Sequence, residues 1–535
     1  MAEGIVAEDA QRILGRDAQR NNILAARVVA ETVKTTLGPK GMDKMLVDRA
    51  GNIIVTNDGV TILEEMAIEH PAAKMVVEIA KTQDSEVGDG TTTAVMLAGK
   101  FLENAEKLLD MKIHPTVITR GYRWAEEKAQ KILRDLAFEI ALKEDLVKVA
   151  QTAMTGKGVE YLREKFAEIV VDAVDVVAEG KKVDLGNIRI EKRKGGAIED
   201  SELIRGIVLD KERISMDMPV RVDGARIALI EEALEVKGPE MEAKISVSSP
   251  EQLQSFLSQE DFILKEKVEA IKSSGANVVF AQKGVDELVQ YYLAKAGVYV
   301  VRRIAKSDIQ GLAKATGGRV ISKLSELRKE DLGFADYVEE RRSGDDGMTY
   351  VMGCKNLKAL TILIRGGTEH IVDEVERAVK DALGDVAAVV KDSKVVAGGG
   401  AVEIELAKRL REFASGLKGR ERLAVDEFAS ALEFVPTTLA ENAGMDPIDV
   451  LTELRAMHDA GNRDYGLNLF SGCIEDNLEN GIVEPLKVKT QAIASATEVA
   501  IMILRIDDVI ASRSANAGRR SQVAGRGLGG MEGYE

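Results

Sequence analysis

The chain has 535 residues, which exceeds the size of one ordinary hydrophobic core and predicts two to four domains. Hydrophobic residues make up 45% and charged residues 30% of the chain, a composition that excludes an intrinsically disordered protein. The formal net charge of −16 argues against binding to nucleic acid, which requires a basic surface.

The cysteine content and the hydropathy of the chain help to predict the cellular compartment of the protein. The two cysteines, Cys354 and Cys473, lie far apart in sequence and match no metal-binding spacing, so we expect neither a disulfide framework nor a zinc site. Residues 1–20 are too acidic for a secretory signal, and no run of about 18 apolar residues could span a membrane. We therefore expect a cytoplasmic protein with no membrane association.

The order of predicted elements is helical, mixed and helical again. Up to about residue 143, apolar residues recur at spacings of three and four, interrupted by strand-like runs at 44–47 and 52–56. Between about 183 and 353, strands alternate with helices, which predicts βαβ units on a sheet; examples are a strand at 277–282, a helix at 284–296 and a strand at 298–304. Long helices then return at 369–383, 401–414, 421–433, 448–460 and 490–511. This order permits a helical domain made from both chain ends.

One amphipathic helix stands out within the mixed region. Ser249, Pro250 and Gln252 form a helix start, and apolar residues follow at helical spacing up to Ile271. A buried core face is the simpler interpretation, and a lid or partner-binding surface is the alternative. The Gly-, Arg- and Ser-rich segment 515–535 predicts a flexible tail.

Most familiar enzyme motifs are missing. The segment GPKGMDK at 38–44 lacks the spacing of a Walker A loop, so a standard P-loop ATPase is disfavoured. No GxSxG elbow, HExxH helix or GxGxxG turn occurs, and the four histidines are scattered.

The run GDGTTT at 88–93 has the residue types of an anion site. Its glycines and threonines precede a helical pattern, which would place backbone N–H groups and hydroxyls at a helix N-terminus suited to phosphate. Asp89 offers hard oxygen ligands suited to Mg²⁺. An ordinary helix cap explains the same residues equally well.

Two further loops contain glycines and acidic residues. Segment 35–46 has Gly38 and Pro39 after a helix, and segment 55–63 has Asp58 and Gly59 after a strand. Asp58 fits a structural turn residue, or alternatively a carboxylate that orients an attacking water.

Five motifs in order, LGPKGMDKML, TNDGVTIL, EVGDGTTT, TGKG and VVAGGGA, resemble the group II chaperonins, meaning the archaeal thermosome and its eukaryotic cytosolic relatives. The resemblance runs essentially end to end. It implies a multi-domain α+β chaperonin fold with a mainly helical equatorial ATP-binding domain, a small α/β intermediate domain and an α/β apical domain. The implied bounds are 1–145 and 403–535 (equatorial), 146–214 and 367–402 (intermediate) and 215–366 (apical), with a helical protrusion at about 241–275.

The resemblance also implies ATP or ADP with Mg²⁺ as cofactors. Asp89 would bind Mg²⁺, Gly399 would approach the sugar or base, and Glu484 would accept hydrogen bonds from the ribose hydroxyls. The remaining residues expected at the nucleotide are Leu37, Gly38, Pro39, Gly59, Gly90, Thr91, Thr92 and Thr93.

For hydrolysis, the resemblance points to Asp381 on the intermediate domain as the catalytic aspartate, with Asp58 as a second carboxylate. Lys157 in the TGKG motif resembles a residue that senses the γ-phosphate. Hydrolysis would then depend on domain closure.

The expected partners are like subunits in a homo- or hetero-oligomeric double ring, together with non-native polypeptides. The protrusion would act as a built-in lid, so no separate lid co-chaperonin is expected. A passive holdase that captures unfolded proteins without hydrolysis, and a metabolic kinase, are the alternative functions.

Overall fold

The structure is a computed structural model that describes residues 11–47, 51–140, 142–158, 160–236, 250–343, 346–354 and 359–511. The described residues fall into two compact units. The terminal unit comprises those within 1–138 and 394–535, and the central unit comprises those within 139–393.

The N-terminal part of the terminal unit is mainly helical. Its elements are β1 (Gln11–Leu14), α1 (Gly15–Lys34), β2 (Lys44–Val47), β3 (Ile53–Thr56), α2 (Gly59–Glu65), α3 (Pro71–Val87), α4 (Thr91–Asp110), α5 (Pro115–Leu136) and β4 (Phe138–Glu139).

The central unit mixes helices and strands. It contains α6 (Lys143–Ala153), α7 (Arg163–Val177), β5 (Ile188–Lys194), β6 (Glu202–Ile204), β7 (Gly206–Leu209), β8 (Arg221–Ile230), α8 (Pro250–Ser274), β9 (Val278–Ala281), α9 (Glu287–Lys295), β10 (Tyr299–Val301), α10 (Lys306–Thr316), β11 (Val320–Ile321), β12 (Gly333–Ser343), β13 (Asp346–Cys354), β14 (Leu360–Gly366) and α11 (Glu369–Asp392).

The C-terminal part of the terminal unit is again helical. Its elements are β15 (Lys394–Ala397), α12 (Ala401–Ser415), α13 (Glu421–Leu432), α14 (Phe434–Asn442), α15 (Pro447–Asp459), β16 (Tyr465–Asn468), β17 (Cys473–Asp476), β18 (Val483–Pro485), α16 (Leu486–Leu504) and β19 (Asp508–Ala511).

Helix α4 lies at the centre of the terminal unit. Thirteen of its twenty residues are buried, on all sides of the helix, so it packs against neighbours rather than facing solvent on one side. A Cβ added at Gly99 would lie 2.4 Å from the Cβ of Ala30, which shows how closely α4 and α1 pack. The core therefore holds the N-terminus of α4, which begins at Thr91, in a fixed position.

The main sheet of the central unit is covered on both faces. Along β8, Ile227 and Leu229 pack in the same core cluster as α10, whereas Ala228 and Ile230 pack in the cluster that contains α8 and α9. This alternation follows from the two-residue period of a strand. The strand order is β10-β9-β8-β12-β13-β7, with β11 also paired to β8. A second core in the same unit joins α6, α7 and α11 to the three-stranded sheet β5-β14-β6.

Most predicted elements are confirmed. The predicted strands at 44–47 and 52–56 correspond to β2 and β3, and the predicted helices at 401–414, 421–433 and 448–460 correspond to α12, α13 and α15. The expected strand–helix–strand unit at 277–304 is present as β9, α9 and β10, although β10 ends at Val301. The helix predicted at 369–383 continues to Asp392 as α11.

The predicted helix at 490–511 is wrong at its C-terminal end. Helix α16 stops at Leu504, and Asp508–Ala511 forms β19, which pairs antiparallel with β1. The partner strand lies almost 500 residues away in sequence, so the helical pattern of the segment gave no sign of it.

The predicted amphipathic helix is α8, and its buried face is confirmed in the C-terminal half. Leu264, Val268 and Ile271 are buried in the core, whereas Phe262 is 67% exposed. The predicted cap at Ser249, residues 241–249 of the protrusion and the tail at 515–535 lie outside the described residues. The three-domain bounds are finer than the two compact units and stay a prediction.

Candidate functional site

The N-terminus of α4 is open. Gly88 (φ +91°) follows the last residue of α3, and Gly90 (φ +78°) is the N-cap of α4. No side chain at this N-cap forms a hydrogen bond with the first turn of α4. By contrast, α2, α3 and α5 each have such a cap, from Asp58, His70 and His114 respectively. The first-turn N–H groups of α4 are thus available for an anion, which the helix dipole also favours.

The loop that starts α2 meets this N-terminus. A Cβ added at Gly59 would lie 2.8 Å from Thr92 Oγ1, 3.2 Å from Thr91 Oγ1 and 3.3 Å from the Thr92 backbone nitrogen. Only a residue without a side chain fits between the two loops. The structure therefore brings together two segments that the sequence suggested separately.

Asp58 acts as the N-cap of α2. Its carboxylate accepts hydrogen bonds from the Thr61 backbone N–H (2.9 Å), the Thr61 hydroxyl (2.6 Å) and the Val60 N–H (3.3 Å). This geometry matches the structural interpretation of Asp58. Its catalytic role stays a prediction.

Gln83 holds the Asp89 loop. This fully buried residue of α3 donates from Nε2 to the carbonyl oxygen of Asp89 (2.8 Å) and to that of Val488 in α16 (3.3 Å). Gly90 fits closely here too, because its added Cβ would lie 2.6 Å from Val488 Cγ1. We missed Gln83 in the sequence, although its position on the apolar face of α3, between Ala80 and Val87, is a readable signal.

The loop with Leu37, Gly38 and Pro39 is anchored to α14. Asn442 donates from Nδ2 to the carbonyl oxygens of Leu37 (2.9 Å) and Lys34 (3.1 Å). Gly38 has φ +80°, and an added Cβ would lie 2.4 Å from Leu439. A side chain at position 38 would therefore clash with Leu439, which explains why the residue is glycine. The sequence did not reveal this constraint.

The triple glycine lies between β15 and α12. Gly399 has φ +65°, and an added Cβ would lie 2.3 Å from Asn477 Nδ2 and 2.5 Å from the Leu467 carbonyl oxygen. The close approach is therefore to the protein's own backbone and to Asn477, which also donates to the Gly398 carbonyl oxygen (3.0 Å). The expected contact of Gly399 with a sugar or base stays a prediction.

Glu484 lies beside this glycine loop. It belongs to β18, where it pairs with Val396 of β15, and its Oε1 would be 3.1 Å from a Cβ added at Gly398. Its Oε2 forms an ion pair with Lys489 Nζ, at a distance of 2.7 Å. Burial raises the pKa of Glu484, with the positive charge of Lys489 opposing that rise and the negative charges of Glu403 and Asp89 adding to it.

Lys157 and Asp381 belong to the central unit, whereas the other predicted site residues belong to the terminal unit. Lys157 Nζ lies 2.6 Å from Asp381 Oδ2, and the two side chains are 17% and 16% exposed. Asp381 lies on α11 and Lys157 in the turn after α6. The sequence suggested a role for each but not their pairing.

The residues of the terminal unit fit a magnesium-bound nucleotide. The open N-terminus of α4 suits phosphate, and the carboxylate of Asp89, two residues before α4, suits Mg²⁺. Within the described ranges, no three His, Cys, Asp or Glu side chains come together to hold a metal. In nucleotide sites Mg²⁺ commonly uses one or two carboxylates and completes its shell with phosphate oxygens and water. When bound, the ion would neutralise phosphate charge.

No helix in the described part of the chain is both long enough and apolar enough to cross a membrane.

Comparison with known proteins identifies the family. Residues 29–514 match the profile of the TCP-1/cpn60 chaperonin family. A thermosome subunit of Methanopyrus kandleri is 60% identical over 95% of this chain and 94% of its own length, and thermosome subunit beta of Archaeoglobus fulgidus is 58% identical over 98% and 97%. The open-state monomer of a group II chaperonin from Methanococcoides burtonii aligns with a TM-score of 0.61 and 47% identity, covering 78% of this chain and all of that one. This chain therefore belongs to the TCP-1/cpn60 chaperonin family, as a molecular chaperone of the archaeal group II type with the multi-domain chaperonin fold.

Proposed function

We propose that this chaperone binds and hydrolyses ATP with Mg²⁺, and that ATP binding and hydrolysis drive closure of a built-in lid over a cavity in which non-native polypeptides fold. The observation that carries the proposal is the close approach of Gly59 to Thr91 and Thr92 at the uncapped N-terminus of α4. This arrangement presents N–H groups and hydroxyls where phosphate oxygens would bind. Asp89 would contribute a carboxylate to Mg²⁺ at the same place.

We assign the nucleotide contacts as the resemblance implies. Gly90, Thr91, Thr92 and Thr93 would hold the phosphates, with Gly59 allowing their close approach. Leu37, Gly38 and Pro39 would contact the phosphates and the base side, and Gly399 and Glu484 the sugar. All these residues lie in the terminal unit, which supports one binding site there.

Asp381 is our candidate for the carboxylate that activates the attacking water. In this structure its Oδ2 forms a charge-assisted hydrogen bond with Lys157 Nζ. Lys157 would exchange this partner for the γ-phosphate when ATP is bound, which would release Asp381 for catalysis. Asp58 would assist from its position at the start of α2.

The protein would act as a double ring of like subunits in the cytoplasm, binding non-native proteins through exposed apolar side chains of the apical region. Phe262, Leu288 and Tyr291 are large apolar side chains of α8 and α9 that are 44–67% exposed. Exposed apolar side chains of this kind would contact the apolar residues of unfolded chains. A holdase that works without hydrolysis is the alternative, and it would need no catalytic carboxylate.

The test is Asp381→Ala in the full-length assembled protein. We expect ATP affinity to stay near the wild-type value while phosphate release falls by a factor of about 100 or more, as for loss of a general base. Asp392→Ala removes an exposed carboxylate from the same helix and is the matched control. Wild-type turnover in Asp381→Ala would overturn the catalytic assignment. Capture of an unfolded protein without its refolding, equal in Asp381→Ala and the wild type, would favour the holdase, and a phosphorylated small molecule would favour a kinase.

A further inference from the structure

A buried ionic triad lies beside the glycine loop. Lys489 Nζ is 2.7 Å from Glu484 Oε2 and 2.9 Å from Glu403 Oε1, and the side chains of Lys489 and Glu403 are only 6% and 2% exposed. The three residues come from different elements: Glu403 from α12, Glu484 from β18 and Lys489 from α16. The triad joins two helix starts to the strand that carries Glu484.

Two features of the surroundings of Lys489 disfavour its positive charge. Its ammonium lies in the first turn of α16, where the helix dipole disfavours positive charge, and it is removed from water. Burial lowers the pKa of Lys489, but the two carboxylates outweigh this effect and raise it, so the ammonium stays charged. Two acidic partners therefore hold a cation where the fold alone would favour an apolar residue.

The carboxylate of Glu403 belongs to the same triad, but only one of its two oxygens forms a hydrogen bond or ion pair there. Its Oε2 is buried and has no hydrogen-bond partner among the described residues. An unsatisfied buried carboxylate oxygen is costly. A residue retained at such a cost is a candidate for a role beyond stability, and its placement against Lys489 indicates what that role is.

The triad is also connected to the Asp89 loop. Gln83 donates to the carbonyl oxygens of both Asp89 and Val488, and Val488 immediately precedes Lys489. The first turn of α16 thus contacts the expected magnesium loop through Gln83 and the expected ribose carboxylate through Lys489. A shift of this turn would move both groups.

We propose that Lys489 is a positioning residue for the nucleotide, which holds the Glu484 carboxylate in place for the ribose hydroxyls, and that Glu403 anchors Lys489. The inference rests on the proposed function, because it assumes that Glu484 contacts ribose. Lys489 occupies Oε2 of Glu484, which leaves Oε1, the oxygen beside Gly398, to accept from the sugar. The ion pair thereby selects one carboxylate orientation out of several.

The test is ribose discrimination by the full-length assembled protein. Calorimetry with Mg²⁺ would measure Kd for ADP, 2′-deoxy-ADP and 2′,3′-dideoxy-ADP. We expect the wild type to bind dideoxy-ADP weaker than ADP by a factor of about 10 or more, as for loss of a hydrogen bond to a charged group. In Lys489→Met that ratio should fall toward one. A merely structural role would weaken all three nucleotides alike and leave the ratio unchanged.

Control variants make the outcomes distinguishable. Lys487 lies in the same turn of α16 but pairs with Glu86. Lys487→Met therefore removes a cation that does not contact Glu484, and it should keep the wild-type ratio of the dideoxy-ADP Kd to the ADP Kd. Glu484→Gln should lose the discrimination. If Lys489→Met does not assemble, Glu403→Gln provides the test, because it removes one of the two anchors of Lys489 and should reduce the ratio partially.

Two results would overturn the inference. If Glu484→Gln loses the discrimination while Lys489→Met, or Glu403→Gln in its place, keeps it, the positioning role is wrong and the proposed function stands. If the wild type binds none of the three nucleotides, the proposed function itself fails.

Discussion

Adding one methyl group at Gly59 tests the geometry of the candidate site directly. In Gly59→Ala the new Cβ would lie 2.8 Å from Thr92 Oγ1, whereas ordinary contacts begin at about 3.4 Å, so a gap of roughly 0.6 Å must open. Helix α4 is buried on all sides and cannot move as a unit, so we expect the loop at 57–59 and the Thr92 side chain to take up the shift.

The expected effect on stability is small. Overpacking costs about 1–3 kcal/mol, and replacing glycine with alanine at the first residue of α2 returns about 0.5–1 kcal/mol, because Gly59 does not have a positive φ. The net loss in the free energy of unfolding is then between about 0 and 2.5 kcal/mol. Assembly should survive this loss.

The expected effect on ATP is large. A displacement approaching 1 Å at a reacting group can cost about 100-fold in rate. We expect Gly59→Ala to lose most phosphate release while its thermal midpoint changes by only a few degrees. The assay is steady-state ATP hydrolysis together with calorimetric ATP binding and a thermal melt of the same preparation.

Two further variants complete the experiment. Gly416→Ala adds a methyl in the same unit, where the nearest atom, the Phe413 carbonyl oxygen, would be 3.5 Å away, so this variant should behave as the wild type. Thr92→Ala removes the clashing hydroxyl, and the double variant Gly59→Ala/Thr92→Ala should hydrolyse ATP better than the product of the two single effects. Wild-type ATP affinity and turnover in Gly59→Ala would refute the placement of phosphate at this contact.

Two other predictions concern the lid and acid stability. Deleting residues 245–260, which spares the core residues Leu264 and Val268, should leave ATP hydrolysis intact and abolish protection of an enclosed substrate from protease; intact protection would refute the lid. Burial alone would raise the pKa of Glu405, but hydrogen bonds from His458 and Arg409 and the positive charge of Arg409 outweigh burial and hold this pKa at about 2, below its ordinary 4.5. Its stabilisation, up to about 3 kcal/mol, is therefore present above pH 4.5 and lost as the pH falls through about 2. The thermal midpoints of Glu405→Gln and wild type should differ most above pH 4.5 and converge in acid; a pH-independent difference would contradict this.

The local features of the site could be predicted from the sequence. Asp58 caps α2 through residues at most three positions away, and the glycines before Thr91 precede the apolar period of α4, so both features depend on neighbouring residues. The same locality explains why the helices at 401–414, 421–433 and 448–460 were predicted close to the observed bounds of α12, α13 and α15. It also explains the error at 490–511, where the strand β19 depends on a partner at the other chain end.

The role of individual residues depended on the family resemblance as well as on local pattern. Asp381 is an ordinary helical acid by sequence, and only the family resemblance suggested catalysis. Its ion pair with Lys157 joins positions 224 residues apart, which no local pattern could indicate. Gln83, Glu403 and Lys489 belong to none of the five motifs, and only their contacts in the structure revealed them.

The sequence by itself determined the helical, mixed and helical order, the positions of the glycine turns and the start of a helix after Gly90, because these follow from backbone conformation and hydrophobic period. Only the tertiary structure decided that Gly59 lies against Thr92, that Gly399 lies against Leu467, and that Lys489 is shared between Glu403 and Glu484. Such contacts form because the buried core around α4 brings distant segments to fixed positions, and packing of that kind depends on the whole chain rather than on neighbouring residues.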